Sequence, residues 1–131
     1  MASPLPTVEA EKLLRGDSRT WTDTFEENTG TTAAPVWTPV DMSGWTWLCQ
    51  IRPDLNRGTV IATVAVDTTN AATGVIVRRL TADQAELLPG QDDPAKKPVV
   101  YMDLQGTRTS DGFRQTWKRW KVTVEGDVSS V

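Results

Sequence analysis

The chain has 131 residues, with 14 basic and 17 acidic side chains for a net charge of −3, no histidine and one cysteine. That length suits one domain with a proper core, and the acidic balance supplies no overall positive field for nucleic acid or an anionic membrane. Without histidine the commonest general base and metal ligand is missing, and Cys49 alone excludes an internal disulfide or a cysteine-based zinc site.

Residues 1–9, with Pro4 and Pro6 among small side chains, read as a poorly fixed arm. The remainder, residues 10–131, reads as one domain. A first strand is expected over about Ala10–Leu14, and Arg15-Gly16-Asp17 turns the chain. From Ser18 to Glu26 the residues alternate, with Trp21, Asp23 and Phe25 on one side and Thr20, Thr22 and Thr24 on the other. Asp23 is awkward on the aromatic side; it either pairs with an arginine or sits at a sheet end.

Residues 27–35 read as a loop tip. Val36–Val40 is short and broken by Pro39, hence at most an edge segment. After the turn Asp41-Met42-Ser43-Gly44 comes the strongest strand signal, Trp45–Arg52. Trp45, Trp47, Cys49 and Ile51 share one of its faces, and Pro53 ends it. Thr59–Asp67 is the next strand, with Val60, Ala62, Val64 and Val66 on one face, and residues 68–74 link it to Val75–Leu80. Thr81 and Gln84 have the spacing of a capping box, which predicts one short helix to about Leu88 before Pro89-Gly90.

A polar loop over 91–98 precedes Val99–Gln105. The last strand spans Phe113–Glu125. Trp117 and Trp120 can both face the core only across a bulge, placed near Lys118–Arg119. The fold class is therefore all-β: about seven or eight short strands with one helical turn, the spacing of a β-sandwich. A closed barrel is the alternative.

The tempting residues have plain explanations. Arg15-Gly16-Asp17 invites a cell-adhesion reading, but a glycine turn before a strand accounts for it. Trp45 and Trp47 could form a sugar-stacking platform; inward aromatics of a core are favoured instead, for Trp47 as for Trp21 and Trp117. Trp37, between Pro35 and Pro39, is the tryptophan expected at a contact surface. Arg78-Arg79 and Lys118-Arg119 beside Trp117 and Trp120 hint at nucleic-acid binding, which the net acidity opposes; rim charges of a protein interface explain them equally. Asp17, Asp23, Asp41 and Asp103 lack ligand-loop spacing. No catalytic, cofactor or metal residues are assigned. No stretch approaches the roughly 20 apolar residues of a membrane span. The N-terminal MASPLPTVEAEK lacks a signal-peptide layout.

The order of several motifs resembles the small immunoglobulin-like β-sandwich modules of tailed-phage virions, such as the N-terminal domain of upper baseplate proteins and similar minor tail proteins. The residues that carry it are Arg15-Gly16-Asp17 leading into Trp21–Phe25, Asp41-Met42-Ser43-Gly44-Trp45 before Gln50-Ile51-Arg52, and Leu80–Gln84. Tyr101-Met102-Asp103-Leu104-Gln105 and Val122–Val128 complete the set, so the resemblance covers about residues 12–128. It departs from the usual pattern in its richness in tryptophan and in stopping at Val131. The resemblance implies an immunoglobulin-like sandwich and a non-enzymatic virion protein of the tail or baseplate, assembled in the host cytoplasm. Its partners would be other virion proteins, met in multiple symmetric copies, with no cofactor, nucleic acid or membrane. Partner contacts are expected from the arm over residues 1–9 and the 27–40 loop, with Pro4, Pro6, Trp37, Pro39, Arg78 and Arg79 as the candidate residues. The alternatives are a capsid-surface decoration protein and a carbohydrate-binding module at the tail tip.

Overall fold

The structure, a computed structural model, describes residues 8–54, 58–90 and 97–126. The chain is mostly β, as the β-branched and alternating sequence demands. Among the described residues nine strands form in order: β1 (Val8–Leu14), β2 (Arg19–Thr24), β3 (Glu26–Asn28), β4 (Trp37–Pro39), β5 (Trp45–Arg52), β6 (Ala62–Asp67), β7 (Val75–Leu80), β8 (Val99–Arg108) and β9 (Arg114–Glu125). Seven of them make one sheet in the order β1-β9-β8-β5-β6-β7-β2, while β3 and β4 pair as a separate small hairpin.

The large sheet curls until its two edges nearly meet. β6 turns the corner: Ala62–Val64 pair with β5, and Ala65–Asp67 pair with β7. The edge strands β1 and β2 join through side chains, with Trp21 Nε1 donating to Glu11 Oε2 at 3.2 Å and Arg19 3.6 Å from the same carboxylate. The structure thus shows a nearly closed barrel, and an immunoglobulin-like sandwich is not what its strand order establishes. β1 begins at Val8, so the predicted arm yields Val8 and Glu9 to a strand that runs parallel to β9. Pro4, Pro6 and the Asp127-Val128 end of the last motif lie outside the described residues.

Inside the barrel the residues stack in three zones that follow from strand register. One end is aliphatic, with Leu13, Ile51, Leu80, Leu88, Val100, Val122 and Val124 buried. The predicted capping box closes that end: Thr81 accepts from the Gln84 backbone, Gln84 accepts from the Thr81 backbone, and the helix α1 (Ala82–Ala85) buries Ala85. The other end is aromatic. Phe25, Trp45, Trp47 and Trp117 have neighbouring ring centroids 5.2–6.3 Å apart, and Phe113 packs edge-on to Trp45. Arg108 lies over the Trp45 and Phe113 rings and is clamped by both oxygens of Asp111, at 3.0 and 2.7 Å. That clamp and the Phe113 amide hold the Asp111 carboxyl down to about 2.

Between these ends sits a buried ion cluster. Arg78, 1% exposed, donates Nε to Asp23 Oδ2 at 2.5 Å and Nη2 to Oδ1 at 3.2 Å. Lys118 Nζ reaches the same Oδ1 at 3.2 Å. The guanidinium is sandwiched between Trp120, 4.1 Å from its ring centroid, and Trp21 at 4.8 Å. Of the two fates open to Asp23, it therefore takes an arginine partner. The bulge in β9 falls one residue earlier than expected: Leu104 faces Lys118 and Gln105 faces Thr116, leaving Trp117 as the extra residue. Both Trp117 and Lys118 then turn inward, one to the rings and one to Asp23.

Candidate interaction surface

The β3–β4 hairpin stands outside the large sheet and holds the most exposed aromatic side chain. Trp37 is 62% exposed, and Val36 beside it is exposed as well. Pro35 before this three-residue strand and Pro39 as its last residue keep the segment out of any longer ladder, as their missing N–H groups require. The loop that carries it is built by its own side chains. Asn28 Oδ1 accepts from the backbone N–H of Gly30 at 2.9 Å and of Val36 at 3.0 Å, and Asn28 Nδ2 donates to the Thr31 carbonyl at 3.3 Å. Thr31 Oγ1 accepts from the Ala34 N–H, and the Thr29 and Thr38 hydroxyls meet at 2.8 Å. Glycine is needed at position 30, since a Cβ there would press on the Ala34 carbonyl and stand 2.8 Å from Val36 N. The hairpin is anchored to the barrel by Phe25 N–H to the Gly74 carbonyl and Val40 N–H to the Phe25 carbonyl, at 2.7 and 2.9 Å. A backbone pinned in this way loses little freedom on meeting a partner.

The surroundings of Trp37 are acidic. Glu26 and Glu27 on β3 are exposed opposite β4, and Asp41 follows it. The Ser43 hydroxyl and backbone N–H both donate to Asp41 Oδ1, at 2.6 and 2.9 Å, which lowers its pKa and keeps it charged. No lysine or arginine occurs between residues 20 and 51.

The expected contact residues separate in the structure. Trp37 and Pro39 lie together on the exposed hairpin. Arg79 is exposed on β7 but held by Asp67 at 3.0 Å. Arg78 is a correction: it belongs to the buried cluster with Asp23 and Trp120, because alternation along β7 turns it inward with Ile76 and Leu80. The basic pairs that suggested nucleic acid are split by the same alternation, with Arg78 and Lys118 both spent on Asp23. Trp47 points into the barrel, as the core reading expected, and Trp45 joins it there, the two packing on each other, Phe25 and Trp117.

Glu26 lies just outside the 27–40 segment expected to reach a partner; Glu27, Asn28 and Val36 fall within it, although none of them is singled out by the sequence. Asn28 followed two residues later by Gly30 is an Asx-turn signal that could have found the pinned loop.

Cys49 is fully buried, and that burial pushes its thiol up to about 12, with Arg78 only partly opposing. The native protein is therefore expected to leave a thiol-reactive dye untouched at pH 8, reacting fully once urea unfolds it. A fast native reaction would contradict this. The unfolded thiol ionises first, so native stability from this group falls as pH climbs from 9.0 toward about 12.

Among the described residues no three His, Cys, Asp or Glu side chains gather in a metal-holding group, and no helix is long and apolar enough to cross a membrane. A scan against protein-family models finds no match, and a search of curated proteins finds none either.

Proposed function

We propose that the chain is a non-enzymatic structural protein of a tailed-phage virion, a minor tail or baseplate component that assembles through protein–protein contacts. What supports the reading is the ordered set of sequence motifs together with one structural observation: a pre-organised hairpin on a well-packed barrel holds Val36 and Trp37 out to solvent. A rigid aromatic anchor of this kind is the usual centre of a protein interface. The immunoglobulin-like description remains part of this proposal. The β6 corner, which divides the strands into a β1-β9-β8-β5 wall and a β7-β2 wall, is the feature compatible with it.

The test is to label intact particles made from the genome that encodes this chain and to repeat it with Trp37→Ala. The label is expected on the tail or baseplate, and the variant is expected to fold normally yet enter particles at a tenth of the wild-type level or less, the roughly tenfold effect of losing an anchor. Label on the head would move the chain to the capsid-decoration alternative. Absence from particles would defeat the virion reading outright.

A further inference from the structure

Two separate surfaces of this chain carry charge of opposite sign. Around Trp37 the exposed charges are Glu26, Glu27 and Asp41, within a run of sequence that holds no cation. The outer face of β5-β8-β9 has the opposite sign. Strand alternation places Arg52, Arg114, Arg119 and Lys121 there, against one unpaired carboxylate among the described residues, Asp103. Glu125, at the end of β9, is taken by Lys97 at 3.1 Å.

This basic face is also prepared to receive carboxylates. Arg52 and Lys121 flank Tyr101 in the cross-strand register, while Gln50 and Arg119 flank Asp103. Arg119 is only 7% exposed, and its Nε donor has no acceptor; neither does the Nε of Arg52. Arg52 also donates Nη2 to Gln50 Oε1 at 2.6 Å, and neither arginine is in an ion pair among the described residues. A carboxylate arriving from outside would therefore meet guanidinium charge that no acidic partner among them neutralises by direct contact. An apolar element accompanies the charges: Leu48, 42% exposed, lies on the same outer face, opposite Gln105.

The two surfaces cannot be one patch. The hairpin extends from the β2–β7 side, through Phe25, Gly74 and Val40, whereas the basic face is β5-β8-β9, with β6 on one side and β1 on the other. We infer that the acidic, aromatic hairpin of one copy docks on the basic outer face of β5-β8-β9 of a second copy. Trp37 covers Leu48 and Tyr101, and Glu26 and Glu27 meet Arg52, Arg119 and Lys121. Because the two patches differ, the contact is head-to-tail: each copy has one free donor and one free acceptor, so association closes into a ring or runs on as a filament. Complementary charge sets the register and makes the contact salt-dependent. The inference rests on charge placement and not on the virion reading.

Sedimentation velocity on the purified full chain tests it, with concentration and salt varied. The wild type is expected to exceed the 14.4 kDa monomer mass at low salt and to fall toward it as salt rises. Glu26→Lys with Glu27→Lys is expected to weaken association roughly tenfold or more, as like charges then face each other. Arg52→Glu with Lys121→Glu is expected to do the same. Mixing the two reversed proteins should restore association, because each then offers a complementary surface to the other. Circular dichroism checks that both fold; the hairpin substitutions are on exposed residues and stand as a test alone if the strand pair does not. A wild type that stays monomeric at low salt and high concentration overturns the inference. So does association that neither charge reversal weakens, or a mixture that fails to recover. A monomer that still labels particles would remove self-association and leave the virion reading standing.

Discussion

Asp23→Ala is expected to destabilise the protein by about 3–5 kcal/mol, the usual cost of stripping one partner from a buried ion pair. The loss is large because two cations converge on this carboxylate. Arg78 donates twice and Lys118 once, and Arg78 is wholly enclosed between the Trp21 and Trp120 rings. With the carboxylate gone, the guanidinium keeps its desolvation cost and retains only the ring faces and a 3.7 Å approach to Met102 Sδ. Urea unfolding followed by tryptophan fluorescence measures the effect. A companion, Asp23→Leu with Arg78→Met, is expected to recover most of the loss, since apolar replacement of a whole buried pair is often neutral. A fall below about 1 kcal/mol for Asp23→Ala would mean that the cluster is far better hydrated than its burial indicates.

Gly106→Ala is the second. On β8 this residue lies opposite Trp47 and beneath the aromatic cluster. A Cβ there would stand 2.7 Å from Trp117 Nε1, 2.9 Å from Trp47 Cζ3 and 3.0 Å from Trp45 Cε3. Those atoms belong to rigid rings packed against one another, so none can swing aside as the end of a flexible chain would. Overpacking of this kind costs typically about 1–3 kcal/mol. The variant is expected to unfold at lower urea and to lose much of its near-ultraviolet circular dichroism, which reports the fixed indole geometry. An unchanged spectrum and midpoint would show that the rings are loosely held. Burial leaves the Nε1 atoms of Trp47 and Trp117 without acceptors, so the cluster is held by ring contacts and not by indole hydrogen bonds.

The strands were legible because their side chains alternate. Trp45–Arg52 and Val75–Leu80 occur with the expected bounds, and Thr81 with Gln84 makes the expected capping box. These signals are local: a period of two and a three-residue spacing need no knowledge of the rest of the chain. The small β3–β4 hairpin was read only as a loop tip followed by an edge segment. Its ladder is only three residue pairs long and is reinforced by side chains such as Asn28, which leaves no hydrophobic period to detect.

What amino-acid order determined by itself is the all-β class, the inward apolar side chains such as Trp47, Ile51 and Val64, and the exposure of Trp37. Each follows from alternation, branching or proline placement within a few residues. Alternation puts Arg78 on the same face of β7 as Ile76 and Leu80, but tertiary structure decided that an arginine could stay on that inner face, by supplying its partner. Asp23 is 55 positions away in the chain, and only the pairing of β2 with β7 brings them together. The same pairing chose a nearly closed barrel, by carrying β2 around to Glu11 on β1. It also gathered Arg52, Arg119 and Lys121 from distant strands onto one face. Contacts between remote segments depend on how the sheet curls, and no local periodicity encodes that.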